Sequence, residues 1–300
     1  MTAQRSATEA RNPRTAAIDT ASTRDIVRLL NDEDANAVRA VDEAGDQLAE
    51  AVEAAHLRLS RGGTVHYFGA GASGRLALLD ASEITPTFGV AAGLFTAHFP
   101  GGLAAVTDSS LDYEDAAHLG ATDAADLDES SVAVGITASG STAYVAGALS
   151  AARTMGALTI LVTCNPAAVL REAADLTVVA DTGAEALSGS TRLKAGTATK
   201  LILNSFSTAL MIKAGRTYGN LMIGLVATNA KLRERAVNVL SEATGADAPT
   251  CRKALEENDG IVSQALVYLL TGCAPERARA AVAAHTGIRQ AIAAARLEHA

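Results

Sequence analysis

The chain has 300 residues, 49% of them hydrophobic and 3% aromatic with no Trp, and a formal net charge of −8. That is enough apolar material for one large α/β domain, or one domain with a small appendage, packed on Ala, Leu, Val and Ile. So few aromatics, and no cluster of Lys or Arg, argue against nucleic acid read by base stacking and against attraction to anionic membranes. Cys164, Cys251 and Cys273 are odd in number and lack metal-type spacing. They read as reduced, structural thiols of a cytoplasmic protein. The opening MTAQRSATEARNPRT lacks the apolar core of a signal peptide, and no apolar run reaches membrane-spanning length.

Residues 1–22, polar and Pro-containing, predict a flexible or draped arm. Ile26, Leu29, Leu30, Val38, Val41, Leu48, Val52 and Leu57 recur at helical spacing over 23–60. The polar stretch Asn31 to Asn36 predicts a division into two helices. A strand over 64–68 then breaks into Gly69, Gly71, Ser73 and Gly74, and a helix-like segment carrying Glu83 follows. Leu94 to His98 reads as a strand, Pro100-Gly101-Gly102 as a loop, and Asp112 to Leu119 as a short acidic helix. Val132 to Ile136 is an apolar strand, and residues 137–142 form a second Gly turn that opens a helix to about Met155. Strands over 158–162 and 176–179 flank a helix over 166–173. Long helices are expected from Thr191 to about Gly215 and over 228–243. Past a break at Gly245 to Pro249, segments 251–258, 261–270, 275–284 and 288–297 read as short helices of a separate appendage. Apolar strands alternating with helices predict a parallel sheet covered on both faces. Ligands then belong at the carboxyl ends of the strands, where both Gly turns fall.

GAGASGR (69–75) and TASGST (137–142) each follow a strand and precede a helix. Neither carries the Gly-Lys-Ser/Thr end of a Walker loop. The first fits GxGxxG but lacks the acidic residue about twenty positions on that dinucleotide binding wants. Small hydroxyls with backbone N–H groups at a helix start suit one phosphate monoester. Gly71, Ser73 and Gly74 in the first turn, and Ser139, Gly140, Ser141 and Thr142 in the second, are the candidate contacts. Glu83 is either a solvated helix carboxylate or, beside Ile84 to Phe88, a partly buried acid with a raised pKa. Glu114, in the run Asp112 to Asp115, reads from composition as surface. Arg192 and Lys194, in GSTRLKAGT (189–197), are either ordinary helix cations or anion clamps. Cations in a first helical turn oppose the dipole, which favours the clamp. His56, His66, His98 and His118 have no ligand spacing, so no metal is expected.

Six stretches together resemble one family: TEARNPRTAAID (8–19), YFGAGASGRLALLDASEITPTFG (67–89), GITASGSTAYVAGAL (135–149), EALSGSTRLKAGTATKLILN (185–204), YGNLM (218–222) and ATNAKLRERA (227–236). The chain is similar over nearly its whole length to the N-acetylmuramic acid 6-phosphate etherases. The resemblance implies a sugar isomerase (SIS) type three-layer α-β-α sandwich with a central parallel sheet. It also implies a small C-terminal helical domain similar to a ubiquitin-associated domain. The organisation that follows is an arm and helices over 1–60, a phosphosugar-binding domain over 61–245 and a helical domain over 246–300.

By the same resemblance, the activity is cleavage of the D-lactyl ether of a phosphorylated amino sugar by a cytoplasmic homodimer without cofactor or metal. Glu83, in DASEITPTFG, falls on the family's proton donor, and Glu114, in LDYEDAA, on its second catalytic glutamate. The residues TDSSLDYED around Glu114 depart from the usual Glu-Gly-Ala-Glu-Asp, and Ser141 stands where the family usually has Arg. Glu185, Ser190, Thr191, Arg192 and Lys194 fall on a substrate-binding stretch. Two rivals share the fold: an aldose–ketose phosphosugar isomerase, and a non-catalytic phosphosugar sensor resembling glucokinase regulatory protein.

Overall fold

The structure is a computed structural model that describes residues 7–108, 110–225 and 230–297. The chain divides into two compact units, Met1–Ser82 with Gly93–Ser207, and Glu83–Ala92 with Thr208–Ala300.

The first unit opens with an arm of three 3₁₀ turns, Ala7–Glu9, Pro13–Thr15 and Ile18–Thr20. It is draped, as its composition allowed. Asn12 Nδ2 donates to the Ala184 carbonyl at 3.2 Å, Thr15 Oγ1 to that of Ala186 at 2.8 Å, and Ser188 Oγ to that of Glu9 at 2.9 Å. Helices α1 (Thr23–Glu43) and α2 (Gly45–Leu59) follow. The break falls at Ala44 and not across Asn31 to Asn36. Residues Glu33, Ala37 and Ala40 are buried at helical spacing, so the polar stretch continues the helix with its other side chains largely turned outward.

The sheet is built from β1 (Val65–Gly69), α3 (Gly71–Phe88), β2 (Phe95–His98), α4 (Gly102–Thr107), α5 (Ala117–Asp123), β3 (Val132–Ile136), α6 (Ala143–Thr154), β4 (Leu158–Thr163), β5 (Leu176–Val179) and α7 (Lys194–Lys213). Its order is β2-β1-β3-β4-β5, parallel throughout. Every residue of β3 and β4 is buried, as a sheet covered on both faces requires. Because Gly69 pairs with Ile136, the two Gly turns leave adjacent strands side by side. This is the expected α/β sandwich with a central parallel sheet.

Local boundaries differ from expectation in three places. The acidic helix begins only at Ala117, because the Asp112 carboxylate accepts the Glu114 N–H at 3.1 Å and takes the backbone out of the helical pattern. Residues 166–173 yield only a 3₁₀ turn, Val169–Ala173. Gly102, expected in a loop, is the first residue of α4.

The second unit takes in the ends of α3 and α7 and then a hairpin of two-residue strands, β6 (Thr217–Tyr218) and β7 (Leu221–Met222), too short to show a period. Five helices complete it: α8 (Ala230–Thr244), α9 (Ala248–Glu257), α10 (Val262–Thr271), α11 (Pro275–Ala284) and α12 (Ile288–Leu297). Their ends carry ordinary stop and start chemistry. Asp247 caps α9 by accepting the Thr250 N–H at 2.9 Å, left-handed Gly272 ends α10, and Pro275 opens α11. Leu240, Ala254, Val262, Ala265, Leu266 and Val267 form their shared core. No helix among the described residues is long and apolar enough to cross a membrane.

Candidate active site

The first turn is made by the close approach of two backbones. A Cβ at Gly74 would overlap the Gly69 carbonyl oxygen, and one at Gly69 would lie 2.9 Å from the Gly74 nitrogen. Only glycine at both positions lets α3 begin with a single residue between it and the end of β1. Gly71 adopts φ +53°, and Ser73 is half-buried on the first turn of α3. Two residues on, Arg75 donates its Nε–H to the Val106 carbonyl at 2.7 Å and holds its guanidinium 5.5 Å from the Phe99 ring centre. Below the turn, Asp80 is buried and accepts from Tyr67 Oη at 3.0 Å and from Ser207 Oγ at 3.2 Å. Burial pushes its carboxyl above the usual range despite these hydrogen bonds.

The second turn is held by hydroxyls. Thr137 Oγ1 accepts the Gly140 N–H at 3.2 Å and lies 2.8 Å from Thr142 Oγ1, while Ser139 Oγ lies 3.0 Å from Ser141 Oγ and accepts the Ser141 N–H at 3.3 Å. Asn165 Nδ2 donates to the Ser139 carbonyl at 2.8 Å. Gly140 adopts φ +72°, and a Cβ there would overlap that of Ala168. Thr142 and Gly140 are buried, Ser139 is half-buried and Ser141 is exposed.

Glu114 reaches this turn from the loop before α5. Close glycine contacts set that loop: a Cβ at Gly120 would overlap the Tyr144 carbonyl oxygen, and one at Gly147 that of Ala117, so α5 and α6 touch backbone to backbone. The Tyr144 N–H, otherwise unsatisfied in the first turn of α6, donates to the Glu114 carbonyl at 3.0 Å. Thr142 Oγ1 donates to Glu114 Oε1 at 3.4 Å. Although much of the Glu114 side chain is exposed, burial of its carboxyl end and the charge of Asp112 raise its pKa, with the Thr142 hydrogen bond opposing them. A cavity of about 200 Å³ lies between Gly71, Arg75, Phe99, Tyr113 and Glu114.

The structure therefore brings Glu114, Gly71 and the second turn into one neighbourhood. Arg75 joins them and was missed from sequence. Its signal was its place in GAGASGR, as the cation that follows the glycines of the first turn. The stretch 185–194 packs instead against the arm. Glu185 is fully buried and accepts the N–H groups of Lys194 at 3.3 Å and Ala195 at 3.0 Å, so it caps α7. Burial raises its carboxyl pKa against those bonds. Lys194, 2% exposed, pairs its Nζ with Glu33 Oε2 at 2.6 Å, and Arg14 takes the other oxygen at 2.6 Å. Burial alone would raise the Glu33 carboxyl, but the two cations hold it below the usual range. Ser190 and Thr191 are half-buried in the turn before α7, and Arg192 is exposed. Glu83 is exposed on α3, in the second unit.

Among the described residues no group of three or more His, Cys, Asp or Glu is placed to hold a metal ion. The three cysteines are free and buried, and burial pushes the Cys164 thiol up to about 12. His66 Nδ1 lies 3.0 Å from His98 Nε2, and burial followed by that neighbour brings His66 down to about 4.

Residues 47–153, from within α2 to within the last turn of α6, match the family model of the glucokinase regulatory protein N-terminal SIS domain. The N-acetylmuramic acid 6-phosphate etherase of Thermobifida fusca is 52% identical over 267 residues, 89% of this chain and 88% of that protein. The protein of the same name from Pectobacterium atrosepticum is 43% identical over 287 residues, 95% of each chain. That from Symbiobacterium thermophilum is 45% identical over 273 residues, 91% of each chain.

Proposed function

This chain belongs to the N-acetylmuramic acid 6-phosphate etherase family, and from that premise we propose that it is a carbon–oxygen lyase. Its substrate in this reading is N-acetylmuramic acid 6-phosphate, its products are N-acetylglucosamine 6-phosphate and D-lactate, and its setting is the recycling of cell-wall amino sugars. The reading rests most on one observation. Glu114 is fixed to the turn after β3 through both its main chain and its side chain, while it lines a cavity with Gly71 and Arg75 of the turn after β1.

The phosphoryl end of the sugar is held by the glycine turns, with Arg75 as the neighbouring cation. The ring opens to an aldehyde, which acidifies the adjacent C2 proton. Glu114, as carboxylate, removes that proton, and the burial that raises its pKa makes it a better base than a fully solvated carboxylate. The C2=C3 bond forms as the C3–O bond to lactate breaks, and Glu83, as carboxylic acid, protonates the departing oxygen. Water then adds to C3 and a proton returns to C2, with the two groups exchanging roles. Lactate is a poor leaving group as an alkoxide, so a positioned acid is worth roughly 10²–10⁴-fold. A cytoplasmic homodimer belongs to the same reading.

The test is to incubate the purified protein with N-acetylmuramic acid 6-phosphate and assay D-lactate. Release is expected from the wild type and is expected to vanish in Glu83→Ala and in Glu114→Gln, with substrate binding still detectable. Full activity in either variant refutes that residue's role. A ketose product without lactate overturns the etherase reading in favour of an isomerase.

A further inference from the structure

We infer that Tyr113 is a specificity-determining residue, part of an apolar wall that receives the methyl group of the acetamide on C2 of the phosphorylated amino sugar. The inference rests on the proposed etherase reading and deepens it, because it names the substituent that the cavity beside Glu114 selects.

The cavity of about 200 Å³ is lined by two kinds of side chain. Arg75, Asp112 and Glu114 are charged, whereas Phe99, Pro100, Ala105, Leu111 and Tyr113 are apolar or aromatic. The second set is a built surface, since Phe99 and Ala105 are buried and Leu111 is half-buried. Tyr113 completes it by lying directly against Gly101. A Cβ on that glycine would stand 2.6 Å from both Cδ2 and Cε2 of the ring and 3.0 Å from Ala105 Cβ. Gly101 also adopts φ +82°, so the turn and the seated ring require glycine at the same position. The loop is fixed on either side of the ring. The Asp108 carboxylate accepts the Ser110 N–H at 2.9 Å, the Asp108 carbonyl accepts the Leu111 N–H at 3.2 Å, and the Tyr113 carbonyl accepts the Ala116 N–H at 3.0 Å. Held in this way, Tyr113 is nonetheless 39% exposed.

A phosphorylated muramic acid is polar over nearly all of its surface. The apolar groups it brings are two methyls, one on the acetamide at C2 and one on the lactyl ether at C3. A cavity whose charged residues orient the sugar, and whose remaining lining is apolar, has a place for one of them. Chain order decides which. Tyr113 directly precedes Glu114 and Leu111 lies three residues before it, so the loop that carries the base also carries the wall. The acetamide shares its carbon with the proton that Glu114 removes, whereas the lactyl oxygen on C3 is assigned to Glu83.

The test compares kcat/KM of the wild type, Tyr113→Ala and Tyr113→Phe on three substrates. These are N-acetylmuramic acid 6-phosphate, its N-formyl analogue, which lacks the acetamide methyl, and its glycolic ether analogue, which lacks the lactyl methyl. The wild type is expected to prefer acetyl to formyl by roughly threefold to tenfold, the worth of one methyl on a partly open apolar wall. Tyr113→Ala is expected to abolish most of that preference, and Tyr113→Phe to keep it. The preference for the lactyl over the glycolic ether is expected to stay at its wild-type value in both variants. An acetyl preference that survives Tyr113→Ala overturns the inference, and so does an equal fall on all three substrates, which is what loss of loop structure alone gives. A change confined to the glycolic ether also overturns it, because the lactyl methyl then occupies the wall. Should Tyr113→Ala fail to fold, Leu111→Ala shortens the same wall and must lower the acetyl preference. Calorimetric binding of N-acetylglucosamine 6-phosphate against its N-formyl analogue reads that preference without lactate release. A wild type that shows the preference in binding but releases no lactate sinks the etherase reading alone, whereas a wild type without the preference sinks the wall, whether or not lactate is released.

Discussion

The two glycine turns leave adjacent parallel strands at the same level and precede helices of the same kind, yet they are built differently. The turn after β1 is a backbone contact: Gly69 and Gly74 meet with no room for a methyl group, and the polar support lies below, in the Tyr67–Asp80–Ser207 cluster. The turn after β3 is a side-chain network in which four hydroxyls and Asn165 order the loop from within. A backbone contact offers rigidity and nothing that titrates. A hydroxyl network can change the direction of its protons, so the catalytic carboxylate candidate that the structure attaches to a turn, Glu114, is attached to the second.

The largest effects are expected where a methyl group is added to either construction. Gly74→Ala places Cβ against the Gly69 carbonyl and the Phe99 ring, neither of which is a flexible side-chain end. Gly140→Ala combines a left-handed backbone with overlap on Ala168. Each is expected to cost about 3 kcal/mol or more, read by urea denaturation. If Gly74→Ala were nearly neutral, close backbone approach would not be what makes the first turn.

Asp80→Asn separates the supports by pH. The carboxyl of Asp80 binds its proton more tightly in the folded than in the unfolded chain, chiefly through burial. Its contribution to stability is therefore complete below the unfolded carboxyl pKa and is lost as pH rises through the raised folded value. The variant is expected to cost about 1–2 kcal/mol in acid, with the difference from wild type shrinking as pH rises above the ordinary carboxyl value of about 4. A difference that grows with pH would reverse the sign assigned to this group.

Gly71→Ala tests the first turn where space is open. Its Cβ would meet no atom of the described residues within 4 Å, so the φ of +53° is what resists substitution. A cost of about 1 kcal/mol is expected, well below that of Gly74→Ala.

The periodicities that are local were legible in the sequence: both glycine turns, all five strands of the sheet and the four tail helices. What depended on distant partners was not. Asn31 to Asn36 looks like a break until Glu33 is seen to turn inward, where Lys194 and Arg14 receive it. The same contact explains why Lys194 resembled an anion clamp in the sequence, since a cation at a helix start does have an anion partner, here a protein carboxylate. Glu114 read as surface because its neighbours are acidic. Its link to Thr142 depends on the α5–α6 glycine contact, which no spacing within one helix reveals. Glu83, set beside apolar Ile84 and Phe88, is exposed because its own position on α3 faces outward while theirs are buried.

Ser141→Arg is the smallest perturbation and the one that sharpens the comparison most. Ser141 is exposed, and its hydroxyl lies 3.0 Å from Ser139 Oγ. Ser139 still accepts the Ser141 N–H, so the internal order of the turn survives the substitution. A cation just before α6 opposes the helix dipole by a few tenths of a kcal/mol, so a stability change of no more than about 0.5 kcal/mol is expected. A guanidinium at this exposed rim suits a phosphate ligand. KM for the phosphorylated substrate is therefore expected to fall, while the acid limb of the pH–rate profile, which the role proposed for Glu114 assigns to its carboxyl, stays in place. A displaced limb would mean that the exposed rim and the buried hydroxyls are one system, and the division of labour within the second turn would have to be redrawn.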